Sequence, residues 1–188
     1  HPDGAGRPAP GGRGMSALID AAIARALALP CFTAPKGARA LGGGITNVNI
    51  LLEDQGRRYV VRLGEDIPEH GVMRFNELAI SRAAHAAGVA PAVVHAAPGV
   101  LVLDHVDAVP LTEPEVRDPA NLPAILTLLR RLHTEGLAHL RGPVLSFWVF
   151  HILRDYAATL DMRGSSHRPL LPGLIEEAAL LEAMVGPV

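Results

Sequence analysis

An α+β fold is predicted by three observations: a glycine-rich loop leading into two strand-like runs, a helix closed by a glycine and a proline, and a second half in which every apolar run has helical spacing. Residues 1–14 are rich in Gly, Pro and Arg without an apolar stretch, and read as a disordered extension ahead of Met15, with no signal peptide. Ser16 is placed to cap a helix whose apolar positions Leu18, Ile19, Ala22, Ile23, Ala26 and Leu27 recur with a helical period, and Pro30 stops it. A hairpin follows over about 38–63: the extended run from Val48 to Leu52, the turn Asp54-Gln55-Gly56, and the run from Arg57 to Leu63. After a loop containing Gly64, Pro68 and Gly71, a helix is predicted over about 72–87, ended by Gly88 and Pro91.

Two short strands, about 92–95 and 100–106, flank the turn Pro98-Gly99. Residues 107–119 carry Pro110, Pro114 and Pro119 and form the best boundary in the chain. Beyond it, helices are predicted over 121–133, near 144–162 and over 172–185. In the first of these, Leu122, Ile125, Leu126, Leu129 and Leu132 share one stripe. Three parts result: the extension 1–14, a mixed lobe 15–107, and a linker with the start of a helical lobe, 108–188.

Composition narrows the function. The chain has 188 residues, 49% hydrophobic and 19% charged, with 17 Lys and Arg against 19 Asp and Glu. No basic tract exceeds an arginine pair, which argues against nucleic acid as a principal partner. Cys31 is the single cysteine, which excludes an internal disulfide framework and fits a reducing cytoplasm. No apolar run approaches the roughly 20 residues that span a bilayer, so no membrane partner is expected. The nine histidines show no His-x-x-x-His spacing, and no zinc site is expected.

The chemistry points to the loop Gly42-Gly43-Gly44-Ile45-Thr46-Asn47. Three glycines permit a tight bend and a close approach of backbone to ligand, and such a loop on a hairpin can turn its N–H groups toward phosphates. It can equally be a flexible turn. On the second hairpin strand, Val60 and Arg62 share one face while Tyr59, Val61 and Leu63 share the other. Arg62 beside the loop is a candidate phosphate contact. Glu77, fifteen residues later on the next helix, lies at the edge of the apolar arc of Met73, Ile80 and Ala84, where it can turn toward the sheet. Taken singly, both read as surface charges; the order of loop, cation and helix carboxylate favours a pair.

These motifs, with Arg74-Phe75-Asn76-Glu77, Gly88-Val89-Ala90-Pro91 and Arg130-Arg131-Leu132-His133, resemble the choline/ethanolamine kinase and aminoglycoside phosphotransferase superfamily, whose fold is protein-kinase-like. The Gly-Gly-Ile-Thr-Asn loop and an arginine in place of the usual kinase lysine are most similar to the choline kinase branch. The resemblance is strong over about 36–135. It implies an antiparallel N-lobe sheet with one helix, then the first helices of a truncated helical C-lobe, in an enzyme that moves the γ-phosphate of ATP to a small-molecule alcohol. It further implies that Gly42, Gly43, Gly44, Ile45, Thr46 and Asn47 lie over the phosphates and that Arg62 contacts the α- and β-phosphates while pairing with Glu77. Val60 would pack on the adenine, Leu103 would line the back of its pocket, and the Asp104 carbonyl and Val106 N–H would read its edge. For Val60 and Leu103, plain core packing is equally compatible.

One part of the family pattern is missing. The aspartate base, the Mg²⁺-binding asparagine five residues after it and a further acidic residue have no candidates: in His105-Val106-Asp107 the residue five beyond Asp107 is Thr112. Catalytic and Mg²⁺-binding residues are therefore expected beyond residue 188, both ends read as those of a piece of a longer reading frame, and this chain alone is expected to be inactive. A non-catalytic kinase-like nucleotide-binding or interaction module is the alternative. The aromatic group Phe147, Trp148 and Phe150 reads as core, although the resemblance allows aromatics there to face a cationic substrate. Bare apolar stripes on the later helices favour self-association.

Overall fold

The computed structural model describes residues 12–42, 47–68 and 71–186. Two compact units are present, His1–Val144 and Leu145–Val188. In the first, the order is α1 (Gly12–Leu27), β1 (Lys36–Leu41), β2 (Val48–Asp54), β3 (Arg57–Leu63), α2 (Arg74–Ala86), β4 (Val93–Ala97), β5 (Val100–Asp104), α3 (Glu113–Arg117) and α4 (Leu122–Ala138). The strands form one antiparallel sheet in the order β1-β2-β3-β5-β4.

The period-two pattern of β3 decides which face does what. Tyr59, Val61 and Leu63 join Ile50, Leu52, Val100 and Val102 in a core closed by Ala22 and Ala26 of α1. Ile50, Leu52, Val61 and Val102 are essentially free of solvent, and each such side chain contributes about 1.5–3 kcal/mol by burial. On the opposite face, Asn49, Arg62 and Leu101 lie side by side across β2, β3 and β5, and Leu51, Val60 and Leu103 form the next row. The turn between β2 and β3 has positive φ at both Gln55 (49°) and Gly56 (77°), the geometry that suits the twist of a two-residue hairpin. The buried carboxylate of Asp54 accepts the Ala34 N–H at 2.7 Å and the Thr33 N–H at 3.2 Å, tying the link between α1 and β1 to this hairpin.

Several boundaries differ from the sequence expectation. Helix α1 begins at Gly12, so Ser16 lies inside it and cannot cap it, and residues 12–14 are helical; residues 1–11 lie outside the described residues. Strand β1 was not anticipated as a separate strand because Lys-Gly-Ala-Arg-Ala-Leu is an edge strand without apolar alternation. Strand β5 stops at Asp104, which leaves Val106 beyond the strand and 56% exposed. The proline-rich segment holds α3, started by a capping box in which Thr112 and Glu115 exchange hydrogen bonds. Helix α4 runs past His133 to Ala138, with Gly136 buried in its last turn.

The second unit contains α5 (Val149–Met162), a 3-10 turn (Arg168–Leu170) and α6 (Leu171–Val185). Phe150 and Ala178 are its buried residues among those described. Trp148 packs edge-on against Phe150 and donates its indole N–H to Glu182 at 2.7 Å, and Glu182 also pairs with Arg154. Phe147, expected in the core, is 77% exposed. Helix α5 starts at Val149 and not near 144, since Trp148 has extended backbone. Among the described residues, no helix is long and apolar enough to cross a membrane.

Candidate functional site

Arg62 projects from near the end of β3 on the face away from α1, and its Nη1–H donates to Glu77 Oε1 at 2.6 Å. The carboxylate comes from the first turn of α2, where a negative charge suits the helix N-terminus. Across the sheet, Arg62 Nε donates to Asn49 Oδ1 at 3.3 Å, so the guanidinium is held from two sides. Both partners of the pair are partly exposed, at 33% and 19% of the side chain, which limits its worth to about 1 kcal/mol and leaves direction of the cation as its main effect.

Glu77 has a second arginine. Arg74 Nη1 donates to Glu77 Oε2 at 2.6 Å, while its Nε and Nη2 grip the Glu65 carbonyl at 3.0 and 2.7 Å. Burial pushes the Glu77 carboxyl up, but the hydrogen bonds and charges of Arg62 and Arg74 outweigh it and hold the group below the ordinary glutamate value. Two guanidiniums on one carboxylate leave a net positive charge, which suits an anion. An open cavity of about 240 Å³ adjoins them, walled by Gly64, Phe75, Leu78 and Leu101.

The expected site residues fall as follows. Gly42 is exposed just after β1 and Asn47 lies just before β2; Gly43, Gly44, Ile45 and Thr46 lie outside the described residues. Val60 and Leu103 are register partners on the face that carries Arg62, one row from it toward the end of β5. Asp104 turns its carboxylate to Arg57 at 2.9 Å, and Asp107 is held by Arg58 at 2.9 Å. The His105 N–H donates to the Arg58 carbonyl at 3.1 Å, so the chain stays against β3 for one residue past Asp104. Arg62 and Glu77 are thus brought together, as their order in the chain implied. Arg74 and Asn49 were given no role from the sequence, although the i, i+3 spacing of Arg74 and Glu77 on one helix was there to be read.

Helix α2 is fixed at both ends. At its start the Arg74 N–H donates to Asp66 Oδ1 at 2.7 Å, and at its C-cap the Ala87 carbonyl accepts from Nη2 of Arg131 of α4 at 2.6 Å. Gly88 follows with φ +71°, and a Cβ there would come within 2.9 Å of that guanidinium. The motifs around residues 74, 88 and 131 therefore share one task, holding the helix that carries Glu77.

A five-stranded antiparallel sheet whose central cation pairs with a carboxylate on the helix after it, followed by helices, defines an α+β fold with a kinase-like N-lobe and a partial helical lobe. More narrowly, the fold is similar to that of an ethanolamine kinase of Plasmodium vivax, with a TM-score of 0.62 at 17% sequence identity. The similarity covers 79% of this chain and 46% of that one, so the chain spans less than half the length of the enzyme it matches. No family model and no curated protein matches the chain.

Proposed function

We propose that this chain supplies the nucleotide-binding lobe, 15–107, of an ATP-dependent phosphotransferase acting on a small-molecule hydroxyl, of choline kinase-like or aminoglycoside phosphotransferase-like type. Residues 108–188 are the linker and the start of its helical lobe. The observation that carries the reading is the Arg62–Glu77 pair, set on the strand that follows the glycine-rich loop and held by a second arginine. The surplus positive charge fits a polyphosphate. Arg62 would contact the α- and β-phosphates, with 42–47 over them. Val60 and Leu103 would take the adenine, and the main chain of Asp104 and Val106 would read its edge.

The fit does not extend to Mg²⁺. Among the described residues, no three His, Cys, Asp or Glu side chains gather as a metal site would require, so no step is assigned to the metal here. The lack of a His-x-Asp run with an asparagine five residues on supports two corollaries: these 188 residues alone are catalytically silent, and a non-catalytic nucleotide-binding module is the second reading. A cytoplasmic location goes with either, on the strength of the lone Cys31.

Calorimetry with ATP and adenosine tests the proposal. Arg62→Ala is expected to weaken ATP about tenfold or more and to leave adenosine within about twofold, because it removes a charged contact to phosphate alone. Equal losses for the two ligands would overturn the assignment.

A further inference from the structure

Asn47, the residue that ends the glycine-rich run, has a buried carboxamide oxygen with no hydrogen-bond partner among the described residues. Such orphans are uncommon and call for an explanation. The oxygen lies over Gly64: a Cβ built there would be 2.5 Å from Asn47 Oδ1 and 2.7 Å from Arg74 Nη2. Three segments, the strand entry at 47, the strand exit at 64 and the start of α2, therefore meet at a point where a Cβ at 64 would displace the Asn47 and Arg74 side chains.

Arg74 is the donor at that point. Its side chain is 16% exposed. Three of its five N–H groups are spent, on Glu65 O twice and on Glu77 once, so Nη2 keeps a second N–H to give. The same guanidinium fixes Glu77 by one carboxylate oxygen while Arg62 takes the other.

We infer that Arg74 is a positioning residue, which sets Arg62 through Glu77 and, through its remaining Nη2–H, serves Asn47 Oδ1 when a nucleotide is bound. This deepens the nucleotide reading above and rests on it. A rotation of the Asn47 carboxamide that brings Oδ1 to Nη2 completes the chain Asn47–Arg74–Glu77–Arg62. One guanidinium then sets both the end of the glycine run and the phosphate-facing cation.

The test is calorimetry with ATP and adenosine on the wild-type chain and on Arg62→Ala, Arg74→Gln, Arg74→Lys, Asn47→Ala and the Asn47→Ala/Arg74→Gln double variant, with thermal unfolding to confirm folding. Arg74→Gln is expected to weaken ATP about tenfold and adenosine less than twofold, and Arg74→Lys to recover at least about threefold of that loss. In the Arg74→Gln background, Asn47→Ala is expected to add no further loss. If Arg74→Gln does not fold, the ATP-to-adenosine split in Arg74→Lys decides. Equal loss of both ligands on changing Arg74, or losses at 47 and 74 that multiply, would overturn the inference. A selective loss in Arg62→Ala with no effect at Arg74 overturns this inference alone. Absence of ATP binding by the wild type, or equal losses of the two ligands in Arg62→Ala, overturns the nucleotide reading and this inference with it.

Discussion

Glu77 is the residue on which the site turns, and acid is the simplest way to unmake it. Its carboxyl is pushed up by burial but held lower on balance by Arg62 and Arg74, so its folded value lies below the unfolded one of 4.5. A depressed carboxylate adds stability that is fully present above the unfolded value and is lost as pH falls through the folded one. Comparing unfolding of the wild type with Glu77→Gln, the wild-type advantage is expected to be flat above about pH 5.5 and to shrink steadily below pH 4.5. An advantage that stays constant down to pH 3 would show that Glu77 is not held by its arginines. The pair itself was legible in the sequence, because alternation along a strand and the arc of a helix each fix a direction. Arg74 was legible in spacing but invisible in importance, since its grip on the Glu65 carbonyl depends on a bend that no local pattern encodes. The unpartnered Asn47 oxygen is a property of three segments meeting and has no trace in any one of them.

At the scale of elements, helices with strong periodicity were legible and weakly patterned pieces were not. Strands β2, β3 and β5 carry continuous or alternating apolar residues, whereas β1 is mostly small or exposed and is a strand through its pairing with β2. Helix α3 was hidden among prolines, although Thr112 and Glu115 have the capping-box spacing. Helix α2 depends on its two anchors more than on its own sequence, for its N-cap residue Met73 makes no side-chain cap. Arg131→Ala is expected to destabilise the first unit by about 1–2 kcal/mol, since it removes a charged donor from the carbonyl at the helix end. Denaturant unfolding should show this as a lower midpoint with an unchanged slope. No shift in the midpoint would mean that water replaces the guanidinium at no loss.

At the scale of the whole molecule, apolar side chains left in water are the main liability. Leu174, Leu180, Leu181, Met184 and Val185 of α6 are each about half exposed or more, as are Leu128, Leu137 and Met162 elsewhere. Exposed apolar surface of this kind favours association. The solution mass is expected to rise with concentration, and Leu181→Glu combined with Met184→Lys to reduce that rise. Sedimentation of a monomer at all concentrations would contradict it.

Strand β3 answers to two masters. Residues 59, 61 and 63 serve the core with α1, while on the other face Val60 lies opposite Leu103 and Arg62 carries the pair with Glu77. Tolerance to substitution along this strand should therefore alternate in kind: changes at odd positions cost folding, and changes at even positions spare folding but alter what the lobe holds. Under the proposed function, a drifting lineage could lose its ligand through the even positions without ever losing the sheet, so the scaffold can outlive whatever chemistry those positions serve.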